Sequence, residues 1–181
     1  LHQFRAYQED LKKAAGRARL WAGRRQVVGA LGRICKGYYT HDGVVPPSRL
    51  PEALERIAEI AAAHRLDVAT VAHAGDGNLH PLLLFHSLDD DELARGAAAG
   101  RAILEACLAL GGSLTGEHGI GREKRDLVSS QFDPATRATF ERVRTAFDPA
   151  HRMNPGALLP TGGGCGEPGL RAGTKPAAGW L

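Results

Sequence analysis

Two short, nearly unbroken apolar runs, Val68 to His73 and Leu79 to Phe85, stand out from a chain otherwise patterned at helical spacing. Their length, their flanking glycines and the Gly75-Asp76-Gly77 between them predict a β-hairpin. Hydrophobicity this continuous implies burial on both faces or a central place in a sheet. Upstream, Tyr38 to Val45 predicts a short strand stopped by Pro46-Pro47. Pro51 suits the first turn of a helix that carries Leu54, Ile57, Ala58 and Ala61 and ends near Arg65. Residues 3–30 are helix-like, with Phe4, Leu11, Ala15, Leu20, Val27 and Leu31 as a loose inner stripe and Trp21 and Arg24 on one shared face. Residues 87–91 offer acidic caps for a helix over about 90–110, which Gly111-Gly112 ends. Lys124 to Ser130 and Pro134 to Phe147 predict two more helices, the second with Asp133 as its N-cap. From Thr161 onward glycine, proline and alanine dominate without periodicity, so residues 161–181 are expected to be a disordered tail behind a domain over 1–160. Helices interleaved with a hairpin and short extended pieces give an α+β fold, an antiparallel sheet with helices mainly on one face.

Composition narrows the function classes. The 181 residues are 43% hydrophobic, enough for one domain with a real core. A formal charge of +3, from 23 basic and 20 acidic residues, is too balanced to imply a nucleic-acid partner. Cys35, Cys107 and Cys165 are odd in number and widely spaced, which reads as reduced thiols in a cytoplasmic protein. No run approaches the roughly 18 to 20 apolar residues of a membrane span, so any membrane contact is expected to be peripheral, through partners.

The chemistry concentrates in two glycine-rich segments. In His73-Ala-Gly-Asp-Gly-Asn-Leu-His80, a tight turn centred on Asp76-Gly77 sets the two histidines directly opposite each other. Cross-strand partners have Cβ atoms roughly 4.5 to 5.5 Å apart on one face, from which both rings reach one metal ion. Gly111-Gly-Ser-Leu-Thr-Gly-Glu-His-Gly-Ile-Gly121 adds a carboxylate beside an imidazole. Neighbours in an extended segment point to opposite sides, so Glu117 is the natural third ligand and His118 a free base facing substrate. Three protein ligands leave positions open for a substrate oxygen, as in a catalytic site.

These segments, with Trp21-Ala-Gly-Arg24, Asp42-Gly-Val-Val-Pro46, Lys124 and Phe147-Asp-Pro through Asn154-Pro-Gly156, resemble in order and spacing the C-terminal domain of FAD-linked oxidases of the vanillyl-alcohol oxidase superfamily. The resemblance is to the glycolate oxidase and D-lactate dehydrogenase type. It implies a ferredoxin-like cap domain, incomplete on its N-terminal side, with FAD bound mainly by a domain or subunit that nothing here resembles. It further implies that His73, His80 and Glu117 hold a divalent metal, Zn or Mn, that His118 is the general base, that Arg24 grips the substrate carboxylate, and that Asn154 approaches the flavin. Positions matching Thr40 and Leu82 carry side chains suited to a second carboxylate in hydroxyglutarate-type relatives; neither residue here supplies a cation, which favours a small monocarboxylic 2-hydroxy acid.

Blander readings stand beside these. Arg24 next to Arg25 resembles a solvated basic face, and Lys124 an exposed charge at a helix start. His2, His41, His64, His86 and His151 lack a motif and read as surface or hydrogen-bonded residues. The expected function is the substrate- and metal-binding catalytic part of an FAD-dependent 2-hydroxy-acid oxidoreductase, against two alternatives: a noncatalytic metal-binding remnant or subunit that docks on a partner flavoprotein, and a metallohydrolase.

Overall fold

A computed structural model describes residues 13–159. The expected tail, the apolar positions Phe4 and Leu11, and His2 and Cys165 lie outside the described residues. The elements run α1 (Ala14–Leu31), β1 (Gly37–Thr40), β2 (Gly43–Val44), a 3-10 turn (Pro47–Arg49), α2 (Leu50–Ala63), β3 (Asp67–His73), β4 (Asn78–Phe85), α3 (Asp90–Ala109), a second 3-10 turn (Arg125–Leu127), α4 (Val128–Gln131) and α5 (Pro134–Phe147). The caps are those the sequence implies. Asp89 accepts from the Glu92 N–H ahead of α3, and Asp133 accepts from the Ala135 and Thr136 N–H groups ahead of α5.

β4 is the centre of the antiparallel sheet, with β3 on one side and β1 then β2 on the other. All eight of its residues are buried, as its unbroken apolar run requires. β3 has a similar run but is an edge, paired among the described residues with β4 alone, and both its ends are exposed. The strand expected over 38–45 is broken at His41-Asp42, although β1 and β2 keep one register against β4. Pro81 is the reason. The His41 N–H donates to the Pro81 carbonyl at 3.0 Å, and a proline has no N–H to return.

Alternation along β4 divides the molecule. Leu79, Leu83 and Phe85 face the main core, against Ala53, Ile57 and Ala61 of α2 and Ala99, Ile103 and Cys107 of α3. The inner stripe of α2 thus runs at four-residue spacing through Ala53. Leu54 and Ala58, expected inward, are rotated about 100° away and exposed. On the opposite face Leu82 and Leu84 meet Leu31 at the end of α1. Toward the hairpin loop that face turns polar, with His80 and Asn78. The helix expected over Lys124 to Ser130 is a 3-10 turn running into the single turn of α4.

Candidate functional site

The hairpin closes through four residues, 74–77. The His73 carbonyl accepts from the N–H groups of Asp76 and Gly77 at 3.2 and 3.1 Å, and Asp76 Oδ1 accepts from the Asn78 N–H at 3.2 Å. Gly77 has φ +80°, and a Cβ there would lie 1.9 Å from the Val45 carbonyl oxygen, so both conformation and space call for glycine. This longer loop corrects the expected register. His73 faces Asn78, and His80 faces Val71. A slip of two residues preserves the face, however, so the histidines become diagonal neighbours whose rings meet edge to face, with centroids 5.3 Å apart.

Leu114 and Ile120 flank the Glu117-His118 segment and are buried in one cluster with Leu104, Leu127, Val128 and Leu159, which pins the loop at both ends. Between them the backbone curls around Asp42, a fully buried side chain. Its carboxylate accepts from the N–H groups of Gly116 (2.9 Å), Glu117 (3.1 Å) and His118 (2.9 Å) and from the Thr115 hydroxyl. Burial pushes the Asp42 carboxyl upward, but these donors outweigh it and hold the pKa well below the usual carboxylate range. Lys124 Nζ lies 3.6 Å from that carboxylate and donates to the carbonyls of Asp42 and Leu114, each at 3.0 Å. The lysine is 4% exposed, which corrects its reading as a surface charge at a helix start. Gly116 completes the fit, since a Cβ there would lie 2.6 Å from the Asn78 amide nitrogen.

The curled loop brings both its side chains to His80. Glu117 Oε1 lies 2.9 Å from His80 Nε2 and 3.4 Å from His73 Nε2. His118 does not turn to the opposite side, as an extended segment would dictate; its ring stacks on that of His80 with centroids 5.1 Å apart and planes 20° from parallel. The ligand atoms of His73, His80 and Glu117 all lie within 4.8 Å of one another, and those of Asp42, His80 and His118 form a second such group. The first is the better metal cradle. Its donors face one another at the exposed rim formed by His73 and Glu117, whereas Asp42 is already taken up by four donors and an ammonium group.

Two expected site residues stand apart from this cluster. Arg24 is on the exposed α1, its guanidinium carbon 5.6 Å from the centroid of the Trp21 ring, and Trp21 is itself 56% exposed. Asn154 is exposed, in a left-handed conformation with φ 45°, within a turn held by three arginines. Arg144 donates to the carbonyls of Met153, Asn154 and Ala157, Arg122 to that of Pro155, and Arg125 to that of Gly156. The Leu158 N–H bonds the Gly121 carbonyl at 2.7 Å, tying this turn to the end of the Glu117-His118 loop. Asp42, Thr115 and Lys124 were missed as site residues. The available signal was an aspartate inside an apolar strand-like run, which has to be neutralised by partners.

Residues 5–158 match the family described as FAD linked oxidases, C-terminal domain. The chain is 48% identical over 153 residues to the glycolate oxidase subunit GlcD of Escherichia coli (strain K12), covering 84% of this chain and 31% of that protein. It is 34% identical over 136 residues to GlcD of Bacillus subtilis (strain 168), covering 75% of the chain and 29% of the relative. It is also 34% identical over 146 residues to a probable mitochondrial D-lactate dehydrogenase of Danio rerio, covering 79% and 29%. The chain therefore spans under a third of the length of these relatives. With the antiparallel sheet, the paired histidines and the Glu117-His118 loop all falling inside the matched region, the chain belongs to the C-terminal domain family of FAD linked oxidases.

Proposed function

We propose that this chain is the substrate- and metal-binding catalytic part of an FAD-dependent dehydrogenase or oxidase of a small 2-hydroxy acid, of glycolate or D-lactate type. The observation that carries the reading is Glu117 Oε1 facing the Nε2 atoms of both His73 and His80. Two imidazoles and one carboxylate suit a borderline divalent cation such as Zn or Mn, and three ligands leave coordination positions for substrate. When bound, such an ion would supply Lewis-acid activation of the substrate hydroxyl, and a flavin would supply the hydride acceptor.

The residues of this chain then divide the work. His73, His80 and Glu117 hold the cation. A ring nitrogen of His118, exposed beside His80, takes the hydroxyl proton. Arg24 clamps the substrate carboxylate with its guanidinium fork, and Asn154 meets the flavin, both from surfaces exposed here. Buried Leu82 and its cross-strand partner Thr40 present no cation, consistent with a monocarboxylic substrate. The similarity to GlcD and to D-lactate dehydrogenases supports this substrate class.

The test is stopped-flow reduction of bound flavin in the full-length enzyme carrying His118→Ala. Loss of a positioned base typically lowers the rate about 10² to 10⁴-fold. That collapse, with metal content and substrate affinity nearly unchanged, is the expected result. A wild-type rate with the best of glycolate, D-lactate and other 2-hydroxy acids removes His118 as the base, and loss of the metal makes it a ligand instead.

A further inference from the structure

We infer that Asp42 is the positioning residue of this site. Its one buried carboxylate fixes the metal-ligand position Glu117 and the base position His118 together, and Lys124 is its counter-ion. The inference rests on the proposed roles of Glu117 and His118 and names what holds them in place.

The loop over 115–118 contains no regular secondary structure to fix its shape. Three successive N–H groups, from Gly116, Glu117 and His118, converge on Asp42, and the Thr115 hydroxyl joins them while also accepting from the Gly119 N–H at 2.8 Å. Three converging N–H groups form an anion-binding concavity, here filled from within the chain. The concavity curls the backbone so that Glu117 meets the edge of the His80 ring and His118 its face. Asp42 also stands across the sheet from His80, in the gap between β1 and β2 that Pro81 opens, and its carboxylate lies within 4.8 Å of a His80 ring nitrogen. A full negative charge is required there, because neutral amide acceptors bind N–H groups more weakly and asparagine would set an NH₂ against the same donors. Lys124 lets that charge stay buried, through the 3.6 Å ion pair and its bonds to the carbonyls on either side.

The experiment compares the full-length protein with Asp42→Asn, the charge-neutral pair Asp42→Asn/Lys124→Met, and Thr115→Val, using amide hydrogen exchange without metal and calorimetric titration with Zn or Mn alone. In folded Asp42→Asn, exchange is expected to rise at least about tenfold at Gly116, Glu117 and His118 while β4 keeps its protection. Metal dissociation constants are expected to rise about 10 to 100-fold, the range for losing a partner that orients ligands. The double variant should keep the loose loop but recover thermal stability, and Thr115→Val should show a smaller change of the same kind. Unchanged exchange at 116–118 in folded Asp42→Asn overturns the inference whatever happens to metal. If neither Asp42 variant folds, unchanged exchange in Thr115→Val overturns it. A wild-type protein that binds no metal, yet shows the loosened loop in the variants, sinks the proposed metal site and leaves the anchoring intact.

Discussion

At the scale of single residues, the candidate site is a set of polar groups held in an apolar setting, and each deletion has a distinct signature. His80 is buried to 9% exposure and shares Glu117 Oε1 with His73, so it is the inner member of the trio. His80→Ala leaves two anchors for an ion. We expect the affinity for Zn or Mn to fall at least about tenfold, with the loss of an orienting group beyond the ligands as the floor. Calorimetry reads it, and unchanged affinity removes the hairpin from the proposed metal site. Lys124→Met has a different outcome. It strands the Asp42 charge in the interior, and breaking a buried pair from one side costs about 3–5 kcal/mol. A urea midpoint close to wild type would show that the backbone donors balance Asp42 without the lysine.

At the scale of elements, two buried carboxylates organise stretches where the chain leaves regular structure. Asp42 gathers the N–H groups of 116–118, and Glu92 gathers those of His86, Ser87 and Leu88 as β4 passes into α3. Burial raises the Glu92 pKa, but these donors outweigh it and bring it to about 2. The hairpin relies on steric permission instead. Gly77→Ala places a Cβ against the Val45 carbonyl in a left-handed conformation. The backbone penalty is roughly 1–2 kcal/mol, and relieving the overlap adds ~1–3 kcal/mol. We expect a urea midpoint lowered accordingly, together with weaker metal binding, since His73 and Asn78 flank the loop. Full stability in Gly77→Ala would mean that the loop has room to move away from Val45.

At the scale of the molecule, acid sensitivity follows from what the core encloses. His41 is 2% exposed, fits against Gly100 of α3, and has both ring nitrogens without a hydrogen-bond partner. Its neighbours are the Tyr39 ring at 4.3 Å, Glu123 at 3.9 Å from Nδ1, and Lys124. Burial, reinforced by Lys124, lowers its pKa to about 4 from 6.5. The unfolded chain therefore takes up a proton first, and stability falls as pH drops from about 6.5 to about 4. At about 1.36 kcal/mol per pK unit the full loss is on the order of 3 kcal/mol. Glu92 acts in a lower window. Its folded pKa is depressed, so its contribution is complete above about 4.5 and is lost as pH falls through about 2. Urea midpoints between pH 7 and 4 should slope in the wild type and flatten in His41→Phe; an equal slope in both places the acid sensitivity elsewhere. The chain matches a C-terminal domain family and aligns with 31% of the Escherichia coli relative, so the 181-residue chain alone is expected to purify without stoichiometric flavin. A yellow one-to-one complex would show that this chain carries its own flavin site.

What the sequence determined by itself was most of the elements and the residues that gather at the candidate site. Period and capping residues placed α3 and α5, two similar apolar runs around a glycine-rich turn marked β3 and β4 as a hairpin without distinguishing the central strand from the edge, and two glycine-rich strings singled out His73, His80, Glu117 and His118. Those are local properties, written in neighbouring residues. The tertiary structure decided what depends on contacts distant in sequence. The register of the hairpin follows from where its loop meets Val45, and the break between β1 and β2 follows from a proline on the facing strand. The direction of His118 follows from a carboxylate 76 residues earlier in the chain, and the burial of Lys124 from an ion pair spanning 82. A lone aspartate in one apolar segment and a lone lysine after a glycine loop each look unremarkable in sequence, because their charges are compensated only when folding brings them together.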